Sequence, residues 1–300
     1  MKKQEAFTLI ELLVVIAIIG LLLAILIPAL NYAKVQASSI VCMANLSGLG
    51  KAWVLYAEDN DTEVIGATPH NWNAIISKPF PANPPGPARS VKNFVGSPHG
   101  IGNTSQNDTV EDEWRGIQQG GLWPYAESEK LFHCVTDKRY LKPPRGDQYL
   151  GNDQFGGTIW GRKGGYRTYS LGAVWNCYTE GWPTDENLVV VYRTGEIVSP
   201  GHKIVFLEEQ DGSGYNGNTW NFYLNRRDIW GDPFSILHNN RSTFSFADGH
   251  AEKHEWKNQS TRDMSDLQVK QRPTNGERED FDWVREHYVP GKMPPALRNI

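Results

Sequence analysis

The chain has 300 residues, with Lys+Arg 30 against Asp+Glu 34 and a net charge of −4. That balance, with a pI near 6.1, excludes a protein held to nucleic acid by bulk positive charge. A mean hydropathy of −0.50 excludes a polytopic membrane protein, and Cys 3 is too few for a disulfide scaffold.

The apolar residues are concentrated at the N-terminus. Residues 12–30 carry no charge. At 1.5 Å per residue that run spans about 28 Å, close to the hydrocarbon thickness of a bilayer. It predicts a transmembrane helix over about 9–30. Lys2 and Lys3 precede it, and the next basic residue is Lys34. This bias predicts a cytoplasmic N-terminus with the bulk of the chain across the membrane. A cleaved secretory signal, with Val35-Gln36-Ala37 as its cut site, is the rival reading. Such signals have apolar cores of roughly 7–15 residues, which this run exceeds.

Glu11 interrupts the pattern. A carboxylate costs about 2–3 kcal/mol at a helix centre in a bilayer, and less near the interface. Either it sits at the headgroup level by position alone, or it has a partner. The stretch Ala6-Phe7-Thr8-Leu9-Ile10-Glu11, followed by the apolar helix, resembles the N-terminal signal of type IV prepilins and type II secretion pseudopilins. The resemblance implies cutting between Ala6 and Phe7 by a prepilin peptidase, then methylation of the new terminus. It also implies that Glu11 pairs with the free amine of a neighbouring subunit and that Pro28 shapes the helix. Ala6 departs from the family pattern, in which the residue before the cut is usually Gly.

Helical spacing continues past Pro28, through Leu30, Ala33, Ala37, Ile40, Val41, Ala44 and Leu46, then Leu49, Trp53, Leu55 and Tyr56. Gly48 and Gly50 weaken it locally. Asp59-Asn60-Asp61 is a stop signal. One helix over 7–57 is predicted, apolar all round in its first half and amphipathic in its second. The predicted organisation is a leader over 1–6, that helix, and a head over 58–300.

In the head, prolines between 79 and 87 exclude helix and central strand there. Residues 96–113 read as loop. Strands are predicted over 166–175, 188–192 and 203–207. Residues 243–246 alternate, Asp248-Gly249 is a hairpin dipeptide needing positive φ at Gly249, and 250–256 is the return strand. On that strand His250, Glu252, His254 and Trp256 share one face. The class is α+β, a long helix packed on an antiparallel β-sheet head with long loops.

Two blocks in the head and helix extend the resemblance. Cys42-Met43-Ala44-Asn45-Leu46, with Cys134 and Asp137, resembles a large bacterial pseudopilin-like group. That group ends in a signature of His, nine residues, then Asp-Gly. His238, Asp248 and Gly249 meet it. The resemblance implies a non-catalytic subunit of a type II secretion or type IV pilus-like filament, held in the inner membrane with a periplasmic or extracellular head. Its partners would be prepilin peptidase and other pilin-like subunits.

Other chemistries were weighed from the residues. His238, Asp248, His250 and His254 offer zinc-type donors, but His250 and His254 lie about 13 Å apart on a strand. No metal site is expected there, and His238 is expected to bond backbone near the Asp-Gly turn. Glu208, Glu209 and Asp211 are weak calcium candidates, without an EF-hand spacing. No nucleophile elbow or phosphate-binding loop points to an enzyme. Trp72, Trp160, Trp182, Trp220 and Trp230 sit among Gly and Asn, as an exposed sugar-stacking face would. A membrane-anchored binder of glycan or another extracellular ligand is thus the alternative function. In an oxidising compartment a disulfide is allowed. The resemblance implies Cys42 with Cys134 as the first pairing, since both sit in its blocks; Cys134 with Cys177 is the alternative, and the residues alone do not choose between them.

Overall fold

The computed structural model describes residues 8–67, 93–96, 109–141, 148–152, 158–161, 165–176, 190–209, 219–222, 230–267 and 277–292. Within 148–152, 158–161 and 266–267 it describes the backbone alone. Ala6, Phe7, Trp72, Cys177, Trp182, Asp211 and the side chain of Trp160 lie outside it.

Helix α1, Leu9–Asp59, is one unbroken 51-residue element. Thr8 caps its start, and Asn60 closes its end, with the Asn60 side chain donating to the Tyr56 carbonyl at 2.7 Å. The helix runs through Pro28, Gly48 and Gly50. Its buried residues are Ser39, Cys42, Leu46, Leu49, Gly50, Ala52, Trp53, Tyr56 and Ala57. Their three- and four-residue spacing puts them on one face, which packs on the head.

Short elements follow. Helix α2, Val110–Gln119, begins inside the stretch read as loop. Thr109 and Asp112 form a reciprocal cap there, and Ile117 is buried. Helix α3 is Trp123–Ala126. Strands β1, Gln148–Asn152, and β2, Thr158–Gly161, form an antiparallel pair.

The main sheet has four strands in chain order: β3 Tyr169–Leu171, β4 Ile204–Glu208, β5 Arg241–Phe246 and β6 Ala251–Glu255. Each neighbouring pair is antiparallel. The α+β architecture of a long helix on an antiparallel sheet is therefore what the chain adopts. Strand β3 is shorter than predicted. Val191 contributes an isolated parallel bridge to Trp175. Helices α4, Gln259–Leu267, and α5, Glu279–Tyr288, complete the fold.

The core lies between α1 and the sheet and extends under α5. Trp53 meets Trp175 edge-on at 5.3 Å. Trp220, Trp230, Phe234, Phe244, Trp256, Phe281 and Tyr288 are all buried. Each large apolar side chain removed from water contributes roughly 1.5–3 kcal/mol. Trp220 and Trp230 thus correct the sugar-stacking expectation. Their rings fill the core, and the Trp220 indole N–H donates to the Asp232 carbonyl at 3.0 Å.

Gly50 explains why the helix tolerates a glycine here. A Cβ at that position would sit 2.3 Å from Ser245 Oγ and 3.1 Å from Gly249 Cα. The absence of a side chain lets α1 touch β5 and the following turn. Gly50→Ala is expected to cost about 1–3 kcal/mol through overpacking, read as a lowered midpoint in thermal denaturation. Gly20→Ala, which would meet nothing within 4 Å, should leave the midpoint unchanged or raise it.

Candidate functional site

The N-terminal part of the site is the start of α1. The Glu11 backbone N–H donates to Thr8 Oγ at 3.3 Å. Glu11 Oε2 in turn accepts from the Thr8 backbone N–H at 2.8 Å and from its hydroxyl at 2.7 Å. The carboxylate is thus engaged in its own first turn, beside exposed Leu9, Ile10, Leu12 and Leu13. From there the large apolar side chains through Leu30 are exposed on every side of the helix. No residue of its most apolar window is buried, and the element is long and apolar enough to cross a membrane.

The second part lies where α1 meets the head. Four buried side chains converge from four places in the chain: Cys42, Cys134, Glu208 and His238. Their sulfur, nitrogen and oxygen atoms lie within 4.8 Å of one another. Cys42 Sγ is 2.7 Å from Cys134 Sγ. His238 Nε2 is 3.4 Å from Cys134 Sγ and 3.0 Å from Glu208 Oε1. Thr243 donates to the same carboxylate through its backbone N–H at 3.0 Å and its hydroxyl at 2.8 Å.

With both cysteines reduced, contact with Cys134 holds the Cys42 thiol down at about 4, against burial and with help from His238 and Tyr169. Burial keeps Cys134 protonated by pushing it far up. Burial also opposes a charge on His238. The neighbouring Cys42 and the bond to Glu208 outweigh that and hold it up at about 9. Burial raises Glu208, and the bond and charge of His238 oppose the rise.

The Cys134 loop is fixed from outside the helix. Its backbone N–H donates to Thr168 Oγ at 3.2 Å. The Thr168 hydroxyl donates to Asp137 Oδ2 at 2.7 Å, and the Asp137 N–H donates to the Cys134 carbonyl at 2.9 Å. Arg139 grips the Asp137 carboxylate through Nε, at 3.0 Å and 3.1 Å, and through Nη2 at 2.7 Å.

The third part is the β5–β6 turn. Gly249 has φ +86, the left-handed geometry that its dipeptide demands. Ser47 Oγ on α1 donates to the Gly249 carbonyl at 3.4 Å. His238 and Gly249, the two ends of the His-to-Asp-Gly segment, thus both bear on α1, at Cys42 and Gly50 respectively.

Several expectations need correction. The His238 ring bonds Glu208 and Cys134, not backbone near the turn; its partners lie across the sheet and so could not be read from local spacing. Its backbone N–H pairs with the Arg241 carbonyl at 3.3 Å. His238, His254 and the Asp248–His250 pair occupy three separate places. Asp248 Oδ1 is 2.5 Å from His250 Nδ1 at the exposed turn. His254 stacks on Trp283 at 3.7 Å. Glu208 and Glu209 do not lie in a solvated calcium loop: both are buried, and Glu209 accepts from the Ser170 hydroxyl. Trp256 is buried and meets His254 edge-on at 4.8 Å. Sequence reasoning missed Thr243 and the Glu208–His238 pair, for which alternation along β4 and β5 gives no signal of partner.

Residues 1–27 match the family model described as Prokaryotic N-terminal methylation motif. The chain carries a prokaryotic N-terminal methylation motif. It is also similar to the Type IV wide pilus major component PilA4 of Thermus thermophilus, 42% identical over 86 residues, covering 28% of this chain and 62% of that protein. It is similar to Type II secretion system core protein G of Vibrio cholerae, 32% identical over 84 residues, covering 28% of this chain and 56% of that one. The same core protein of Aeromonas hydrophila is 31% identical over 84 residues, again 28% of this chain and 57% of that one. The chain thus spans roughly three-fifths of the length of the curated relatives it matches. No solved structure matches it.

The Asp137 network yields a pH prediction. Burial pushes the Asp137 carboxyl up, but the Arg139 charge and the hydrogen bonds from Arg139 and Thr168 outweigh that and hold it below the usual carboxylate range. A depressed native pKa stabilises above the unfolded value, about 3.9, and is lost as pH falls through the native one. Asp137→Asn should cost about 3–5 kcal/mol at neutral pH, because it removes the buried carboxylate that Arg139 grips at 2.7 Å. Urea unfolding from pH 7 to pH 3 checks this, and the variant should show a shallower acid-side loss than the parent.

Proposed function

We propose that this chain is a non-catalytic, pilin-like subunit of a type II secretion or type IV pilus-like filament, matured by prepilin peptidase. The observation that carries this reading is the continuity of α1. A methylation motif leads into an all-round apolar rod, and the same helix becomes one wall of the head's core. An anchor alone needs the apolar run. A filament subunit also needs a rigid link from that run to its head, because neighbouring subunits pack rod against rod while the heads face outward.

In this reading residues 1–6 are the leader and Ala6–Phe7 is the cut site. The stem covers 7–57, crossing the inner membrane over about 9–30, and the head covers 58–300. Lys2 and Lys3 keep the leader cytoplasmic. After the cut, Glu11 stands four residues from the new amine of Phe7. Its carboxylate accepts the amine of an adjacent subunit, which neutralises both charges in an apolar filament core. Pro28 leaves one carbonyl of the helix unbonded, and this lets the rod adjust to its neighbours.

Mass spectrometry of the chain from native membranes tests the processing. The expected N-terminus is methylated Phe7. Retention of Met1 would point to a plain anchor, and a start at Ser38 to simple secretion. Glu11→Ala, expressed beside the other filament components, should insert in the membrane at the parental level. Its recovery in sheared filaments should fall at least about tenfold, the loss expected of one buried ion pair. Equal recovery of parent and variant would sink the assembly role of Glu11.

A further inference from the structure

We propose that Cys42 and Cys134 form a disulfide that staples the stem helix to the head. The two sulfurs are 2.7 Å apart and fully buried, and they come from segments far apart in sequence. Neither position is free to drift. Cys42 is set by the buried face of α1. Cys134 is pinned by Thr168 and Asp137, and through them by Arg139. A bond here closes the chain from the lower stem, through α2 and α3, back onto the same face of the helix.

Cysteine, histidine and carboxylate side chains are also the donor types that zinc takes, so the cluster poses a choice. Three features decide it. Two thiolates on one tetrahedral zinc stand about 3.8 Å apart, given Zn–S bonds of about 2.3 Å. These sulfurs are closer than that. Glu208 already accepts from Thr243 twice and is paired with His238. A metal-bound histidine ordinarily donates its second ring nitrogen to an acceptor. His238 Nδ1 is buried and has no hydrogen-bond partner among the described residues.

The bond forms by thiol–disulfide exchange with an oxidant of the disulfide class, while the head is folding and the sulfurs are still accessible. Cys134 displaces one sulfur of the oxidant and forms a mixed disulfide. The Cys42 thiolate then attacks Cys134 Sγ and releases the oxidant's second sulfur. Two protein thiols give up two electrons and two protons, and the oxidant's disulfide becomes two thiols. His238 Nε2, 3.4 Å from Cys134 Sγ, stands beside the sulfurs as they close, and a cationic ring there favours the attacking thiolate.

The test uses the full chain, purified from membranes without reductant and denatured in iodoacetamide. One adduct is expected, on Cys177, with a linked peptide pair containing Cys42 and Cys134. Reduction first should give three adducts. Three adducts without reduction would overturn the staple, as would a Cys134–Cys177 link. So would stoichiometric zinc in the native protein with both site thiols alkylated on denaturation. Cys177→Ser is the control that avoids the core site, and the Cys42–Cys134 link should persist in it. In that variant, reduction should lower the thermal midpoint of the head by about 5–15 °C, and an unchanged midpoint would refute the staple as a structural tie. A chain that begins at methylated Phe7 yet carries three free thiols would refute the staple and leave the filament reading standing.

Discussion

One helix has to satisfy two solvents, and the rest of the molecule is arranged around that demand. The first half of α1 exposes leucine, isoleucine and valine on every side, which is stable only in lipid or against other apolar rods. Its second half presents a single apolar stripe from Cys42 to Ala57, which is stable only if a sheet covers it. The change occurs without a break in the backbone, so any force or orientation imposed on the rod passes into the head through the contacts along that stripe.

Those contacts come mainly from the end of the sheet. Strand β5 and the turn after it reach α1 at Gly50, where only a glycine allows the approach. At the other end of the same segment His238 reaches the two cysteines. The segment from His238 to Gly249 therefore spans the seam between helix and sheet, touching it at both ends. Its buried charge is balanced locally: Glu208 has His238 and both donors of Thr243. A half-satisfied carboxylate at that depth would destabilise the seam it occupies. The Cys134 loop is held to the seam from the far side by Asp137, which ties Thr168 and Arg139 together.

The elements legible from sequence were those with a strong local period or an obligatory turn. The unbroken apolar run gave α1, and Asp59-Asn60 gave its end to within two residues. Asp248-Gly249 gave the β5–β6 hairpin, because few dipeptides accept the required φ. Helices α4 and α5 are short and polar, and their few apolar residues are meaningful only beside the core they cover. Helix α2 did carry a readable start, the Thr109 and Asp112 cap, within a stretch whose composition reads as loop. The tryptophans show the same limit. Glycine and asparagine neighbours suggested exposure for Trp220 and Trp230, yet long-range packing against Phe222, Phe234 and Phe281 buries them.

By itself the sequence determined that this chain has a methylation-type N-terminus, an apolar rod and a helix that continues into an α+β head. Those properties reside in consecutive residues, where hydropathy and helical period act over a few turns. Only the tertiary structure decided that Cys42, Cys134, Glu208 and His238 meet, and that Gly50 sits beneath Gly249. Such contacts join residues up to about two hundred positions apart, and their register is set by how the sheet packs on the helix.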